Sequence, residues 1–260
     1  MKTAKKIGGG IYLVLIMLFL YLPILTLIVL SFNESKSMSV FTGFSLRWYE
    51  EMFQSPQIIE ALMNTFTIAV LASLIATVIG TLAAIGIESL RPRTQSLLLG
   101  LNNIPMLNAD IVTGISLMLS FLMFGISLGY GTLLFSHITF CIPYVILSVR
   151  PRMNRKTETL YEAALDLGAS RGYAFRKIVL PELLPGIISG AMLSFTMSVD
   201  DFIVTHFTRG AGINTISTLI YSQVKIGIRP SLYALSTVVF LIALIVLIIG
   251  NIDKDKEEVA

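Results

Sequence analysis

The segment Arg155–Pro181 reads RKTETLYEAALDLGASRGYAFRKIVLP, a polar island between apolar runs at roughly 131–149 and 183–208. Its pattern is that of two short helices joined by a sharp turn. Thr159-x-x-Glu162 has the form of a capping box, in which a hydroxyl and a carboxylate satisfy the first free N–H groups of a helix. Gly168 has the form of a helix end, where a left-handed residue is wanted. Ser170 can then cap a second helix through Lys177, and Pro181 sets the entry into the next apolar run. Helix, glycine turn, helix makes a compact knuckle. Such a unit can seat in a cleft of another protein and pass on a rigid-body movement, which a floppy loop cannot. The plainer reading is that Glu162 only caps a helix and Gly168 only ends it. It is compatible with docking, since a docking helix must first fold.

Around this island the chain is mostly apolar. Of its 260 residues, 55% are hydrophobic and 13% charged, and mean hydropathy is +0.81. Soluble domains carry about 25% charge, so this composition excludes a solvated globular surface. The apolar residues come in runs near the ~20 that cross a bilayer as a helix. The expected fold is all-α, a polytopic membrane protein with six transmembrane helices at roughly 9–31, 59–88, 97–124, 131–149, 183–208 and 232–250. They form a single transmembrane domain over 1–260, with the knuckle in a cytoplasmic loop at about 150–182. The basic stretch Met1–Lys6 precedes an apolar run, Ile11–Leu30, that is too long for a cleaved signal and has no small-x-small site after it. It reads as the first span. Lys2, Lys5, Lys6, Arg91, Arg93 and the basic residues of the knuckle loop place most of the 19 Lys and Arg on one side. That asymmetry sets both termini in the cytoplasm. It also accounts for the net charge of +3 without nucleic acid. Cys141 is the only cysteine, which excludes an intramolecular disulfide and a cysteine metal site.

Three carboxylates stand inside the expected spans. Asp110 falls in the third, Asp200 and Asp201 in the fifth. Counting ~1.5 Å per residue along straight helices puts them at comparable depth, around or just outside the midplane. A carboxylate at a helix centre costs about 2.5–3.5 kcal/mol on insertion scales, and no Lys or Arg in those spans offsets it. Three such groups at one level favour a cation path. Protonated Asp bonded between helices, or a misplaced span boundary, is the plainer alternative. Gly186, Gly190, Ser194 and Ser198 recur every four residues as a stripe for close helix packing. At ~100° per residue Asp201 lies near that stripe and Asp200 is turned well away. One acid can then face the path while the other braces a neighbour; which is which stays open. Trp48, the only tryptophan, sits in Ser45–Phe53, an interfacial helix by pattern. It is either a membrane-interface anchor or a face for a cation.

Catalysis has no carrier here. The chain lacks the G-x-x-x-x-G-K-[ST] phosphate loop, and His137 and His206 lie in or at the ends of spans without motif partners. No catalytic residue and no metal site is expected.

The residues Glu162, Ala163, Ala164, Gly168, Ile178, Leu180 and Pro181 resemble the EAA loop of ABC-importer permeases. The likeness runs along the whole chain. The opening basic stretch, Ser45-Leu46-Arg47-Trp48-Tyr49, Tyr161-Glu162-Ala163-Ala164-x-Asp166-Leu167-Gly168-Ala169 and Leu193-Ser194-Phe195-Thr196-x-Ser198-x-Asp200-Asp201 are similar to the C-type permeases of spermidine/putrescine (polyamine) transport systems. Arg171 departs, standing where an acidic or neutral residue is expected. The resemblance implies the MetI-like fold of ABC-importer permeases in a bacterial inner membrane. It implies a loop that inserts between lobes of a separate ATPase, with Gly168 as its turn and Glu162 in contact. It also implies polyamine passage past Asp110, Asp200, Asp201 and Trp48, with Ser198 in the same motif. The implied partners are a homologous permease, two ATPase subunits, an external polyamine-binding protein and membrane lipid. ATP and Mg would sit on the ATPase, with no cofactor in this chain. Two other readings stay open. One is a permease of the same machinery for another small cationic solute. The other is a proton-coupled secondary transporter, which explains the carboxylates but not the knuckle. The choice between putrescine and spermidine is open too.

Overall fold

A computed structural model describes residues 2–36 and 40–257. Met1 of the basic stretch and the last residues of the charged tail, 258–260, lie outside the described residues. In chain order the helices are α1 (Lys2–Ser31), α2 (Arg47–Gln54), α3 (Pro56–Glu88), α4 (Pro92–Leu107), α5 (Asp110–Met123), α6 (Tyr130–Val149), α7 (Arg155–Asp166), α8 (Arg171–Ala174), α9 (Leu180–Asp200), α10 (Ile203–Thr208), α11 (Ile216–Ile226) and α12 (Ser231–Glu257). A 3₁₀ turn, Arg150–Arg152, follows α6, and a π turn, Phe175–Val179, joins α8 to α9. Among the described residues the only β pairing is an isolated bridge between Asn33 and Phe44. The all-α expectation holds.

The chain divides into two compact units, Met1–Ile59 with Ile220–Ala260, and Glu60–Leu219. In the first, α12 packs against α1 and α2. From Tyr12 to Leu22 the side chains of α1 are exposed, as suits a helix surrounded by lipid. The turn after it is organised by Asn33, whose Oδ1 accepts the Thr42 N–H at 3.0 Å while its Nδ2 donates to the Val40 carbonyl at 2.8 Å. Trp48 is 1% exposed, and its indole N–H donates to the Asn33 carbonyl. Phe32 stacks on Phe44 at 5.3 Å, and the Ser31 and Tyr49 hydroxyls meet at 2.8 Å. The expected helix at Ser45–Phe53 is present, but it turns Trp48 and Met52 inward. Trp48→Phe trims a buried two-ring side chain to one ring and removes its hydrogen bond. It is expected to cost about 2–4 kcal/mol, read as a clear drop in the melting temperature of the purified chain.

In the second unit α9 lies along α6, and the small-residue stripe is the seam. Gly186, Gly190, Ser194 and Ser198 are all buried. A Cβ on Gly186 would sit 2.8 Å from the Ser148 carbonyl oxygen, and one on Gly190 would sit 3.2 Å from Val145 Cα. Higher up, Ser194 Oγ donates to the Cys141 carbonyl at 3.4 Å. As α9 ascends by fours, α6 descends by fours, the geometry of an antiparallel pair. From the other side Gly80 of α3 admits Val145, where a Cβ would come within 2.7 Å. Cys141, Val145, Ile146 and Val149 with Ala76, Ala84 and Leu183 form the buried core.

Two expected spans are corrected. The third, 97–124, is not one rod: α4 and α5 meet at 104°. Pro105 lies inside α4, and Asn108 and Ala109 are extended, with ψ of 152° and 135°. Proline removes a helical hydrogen bond and crowds the preceding carbonyl. The fifth, 183–208, ends at Asp200; Asp201 is extended with ψ 126°, and α10 starts afresh at Ile203. The straight-rod depth count for the three acids therefore does not apply. Among the described residues Tyr12–Ser31, Pro56–Glu88, Tyr130–Arg152 and Arg171–Asp200 are long and apolar enough to cross a membrane, and the bent pair adds a fifth when counted as one span. Over the expected sixth, α12 has a shorter apolar stretch, Ser231–Ile242.

Candidate functional site

Both helix breaks face one cavity. It holds about 310 Å³ and is lined by Pro105, Asp110 and Thr113 from the first break, Asp200, Asp201 and Phe202 from the second, and Phe140 and Tyr144 from α6, with Met197, Ile203 and Val204. Interrupted helices within a membrane are tolerated where the freed backbone is buried or lines a cavity. The three acids singled out in the sequence are thus brought together, and no Lys or Arg is among the lining residues. Among the described residues no group of three or more His, Cys, Asp or Glu could share a metal ion. The acids line the cavity without forming a metal cluster. Carboxylates beside the rings of Phe140, Tyr144 and Phe202 suit an organic cation, whose charges meet acids and whose carbon skeleton lies on aromatic faces.

The two adjacent acids differ. Asp201, with its side chain 9% exposed, caps α10. Its Oδ1 accepts the Val204 N–H at 3.2 Å, and its Oδ2 accepts the Thr205 N–H at 2.7 Å and the Thr205 hydroxyl at 2.9 Å. Asp200 ends α9 and is exposed. Asp110 begins α5 and is exposed as well. Ser198 does not reach the cavity wall as an open hydroxyl: it is buried and bonded to His137 Nδ1 at 2.7 Å. Trp48 belongs to the first unit, and its ring is taken by the Arg47 guanidinium, 5.2 Å from the ring centre. Its indole N–H is bonded within the protein too, to the Asn33 carbonyl. Tyr144 and Phe140 were missed in the sequence because an aromatic residue inside an apolar span carries no signal of its own.

The knuckle has the expected form with a different start. α7 begins at Arg155, capped by Asn154, whose side chain accepts the Thr157 N–H at 3.1 Å. Thr159 and Glu162 lie inside the helix. Gly168 ends it at φ +86°. Its N–H reaches the Leu165 carbonyl at 2.9 Å and that of Ala169 reaches the Ala164 carbonyl at 3.0 Å, the paired bonds of a Schellman motif. Ser170 caps α8, accepting the Tyr173 N–H at 3.4 Å. The second helix does not stop at Lys177; it runs through the π turn into α9. Pro181 has no N–H to offer the Lys177 carbonyl, and the chain widens by one residue there, with the Leu180 N–H bonded to the Phe175 carbonyl. Glu162, Ala163, Gly168 and Pro181 are exposed, Ala164 and Ile178 half-buried, and Leu180 just exposed. At the tip Leu167 is 90% exposed.

A model of the family described as binding-protein-dependent transport system inner membrane component matches residues 76–255, and the chain belongs to that family. It is a membrane permease subunit, a transporter component and not an enzyme. It is 38% identical over 253 residues to the spermidine/putrescine transport system permease protein PotC of Escherichia coli (strain K12), with 97% of this chain and 96% of the relative covered. It is 39% identical over 238 residues to the PotC of Haemophilus influenzae, with 92% and 93% covered. The putrescine transport system permease protein PotI of Escherichia coli (strain K12) is 36% identical over 228 residues, with 85% and 81% covered. In fold the chain is similar to a bacterial ABC transporter involved in the import of the acidic polysaccharide alginate, with a TM-score of 0.76 over 98% of this chain and 96% of that one. At 18% identity that likeness concerns the fold alone.

Proposed function

We propose that this chain is a single-domain permease subunit, spanning 1–260, of an ATP-driven importer of polyamines. The observation that carries the reading is a cavity with Asp110, Asp200 and Asp201 on its wall and no basic residue to oppose them. The chain's relatives named for spermidine and putrescine support it. Polyamines are linear polycations, and separated carboxylates suit separated ammonium groups better than one point charge. An external binding protein delivers the cation, and access alternates around the cavity. The paired, homologous permease encloses the path. Two ATPase subunits carry ATP and Mg, and this chain itself holds no cofactor. Both termini lie in the cytoplasm, so the knuckle of Glu162, Ala163, Ala164, Gly168, Ile178, Leu180 and Pro181 meets the ATPase.

ATP-dependent uptake of labelled putrescine and spermidine into vesicles holding this chain and its co-purifying partners tests the reading. Uptake that needs ATP and survives collapse of the proton gradient is expected. An assembled, ATP-hydrolysing complex that takes up neither polyamine discards the substrate. Loss of uptake on collapse of the gradient, with ATP preserved, favours the proton-coupled alternative.

The coupling role has its own check. A side chain at φ +86° is strained, at about 1–2 kcal/mol. Gly168→Val is therefore expected to weaken capture of the ATPase roughly 5- to 30-fold, read by co-purification. Leu167→Glu, which leaves the turn intact, is expected to do the same by placing a charge at the apolar tip. Normal capture by both variants removes the knuckle from the interface.

A further inference from the structure

The break between α9 and α10 is clamped by one side chain from a third helix. His137 of α6 is 1% exposed. Its Nδ1 lies 2.7 Å from Ser198 Oγ, before the break, and its Nε2 lies 2.9 Å from Thr205 Oγ1, after it. Nε2 is also 3.6 Å from Asp201 Oδ2, inside the break. The proton positions follow from the partners. Both oxygens of Asp201 receive backbone N–H groups, so this carboxylate acts as acceptor. The Thr205 hydroxyl, 2.9 Å away, donates to it. Thr205 Oγ1 then receives the Nε2–H of His137, which leaves Nδ1 bare to accept the Ser198 hydroxyl. Ser198, His137, Thr205 and Asp201 form one directed chain in which each hydroxyl or ring N–H has one acceptor. Deleting a middle member leaves buried polar groups on both sides of it unpaired, and such networks fix one geometry when complete.

We propose that His137 is a positioning residue of the cavity: by tying Ser198 to Thr205 it sets the angle at which α9 ends and so aims Asp200 into the cavity. Asp201 is committed to the clamp, and Asp200, one residue earlier on the same wall, is left for the cation. The inference rests on the reading of this cavity as the transport path. His137 touches Ser198, Thr205, Asp201 and the Phe140 ring; a histidine that merely filled core space would leave residue 200 unmoved when its hydrogen bonds to Ser198 and Thr205 are removed.

The test reads the position of residue 200 directly. In assembled complexes carrying Cys141→Ser and Asp200→Cys, the rate of labelling by a trimethylammonium-ethyl methanethiosulfonate reports how residue 200 meets the cavity. Adding His137→Leu or Thr205→Val is expected to change that rate at least threefold. The two changes together are expected to do no more than either alone. His137→Gln, which keeps a donor towards Thr205, is expected to restore half or more of the parent rate. Equal rates in the parent, His137→Leu and Thr205→Val complexes overturn the proposal. Should His137→Leu fail to assemble, the near-isosteric Thr205→Val decides alone. Labelling does not involve the substrate. A parent complex that imports no polyamine would sink the substrate reading and leave the labelling result to stand or fall by itself.

Discussion

Asp200→Asn is expected to raise the KM for the transported polyamine about 10- to 150-fold while leaving assembly of the complex intact. The size follows from what the side chain does. Asp200 is exposed on the cavity wall, and among the described residues its side chain has no hydrogen-bond partner. Asparagine keeps its shape and removes only its charge. A hydrogen bond to a charged partner contributes about 1.5–3 kcal/mol, and each 1.4 kcal/mol is about tenfold in affinity. Asp110→Asn should act in the same sense, since Asp110 is also exposed on this wall. Asp201→Asn should differ in kind. It replaces an acceptor of three N–H and O–H donors with a group that also donates, so it should lower the yield of folded complex. Initial uptake rates over a range of spermidine concentrations separate the cases. An unchanged KM in Asp200→Asn would remove that residue from the path.

The second large effect concerns the seam between α6 and α9. Gly186→Leu is expected to abolish accumulation of the folded chain, and Gly186→Ala to reduce it several-fold. A Cβ at residue 186 would lie 2.8 Å from the Ser148 carbonyl oxygen, 2.9 Å from Arg152 Cγ and 3.2 Å from Val149 Cα. Two of these are backbone atoms that cannot swing aside. Overpacking typically costs about 1–3 kcal/mol, a large part of a stability of about 5–15 kcal/mol. At Gly190 the nearest atoms are at 3.2, 3.3 and 3.4 Å, so Gly190→Ala should be milder. Abundance in detergent extracts and the temperature at which the chain aggregates give the order. Gly190→Ala proving worse than Gly186→Ala would mean that the helices meet differently.

What could be read from the sequence was local or periodic. Gly168 and Ser170 announced a turn because their conformations are set by neighbours a few residues away. The stripe from Gly186 to Ser198 announced a close helix contact because small residues at intervals of four leave one face bare. The breaks were masked because apolar residues flank both, so a window of ~20 residues runs through them as one span. The signals were nevertheless present. Pro105 followed by Asn108-Ala109-Asp110 is a helix stop and then an acidic first turn. Asp201 ahead of Thr205 is a cap written inside an apolar run. The partnership of His137 with Ser198 and Thr205 left no such trace, since its members are 61 and 68 residues apart. Trp48 was legible only in part: the amphipathic pattern of its helix was right, but its hydrogen-bond partner, the Asn33 carbonyl, lies in a turn with no periodicity to reveal it.

From Tyr130 to Asp166 the backbone departs from helical form only at Met153 and Asn154. The aromatic wall of the cavity and the knuckle are therefore successive parts of one helical segment, interrupted only by a two-residue elbow. Leverage follows. At ~1.5 Å rise per residue α6 is about 30 Å long, so each degree of tilt about the elbow shifts its far end by about 0.5 Å. Phe140 and Tyr144 lie partway along and travel less, in proportion to their distance from the fulcrum. Under the proposed coupling, a partner pressing on the knuckle works the short arm, α7, and α6 is the long arm. A small turn at the elbow is then enlarged at the far end of α6, with about half of that motion at Phe140 and Tyr144.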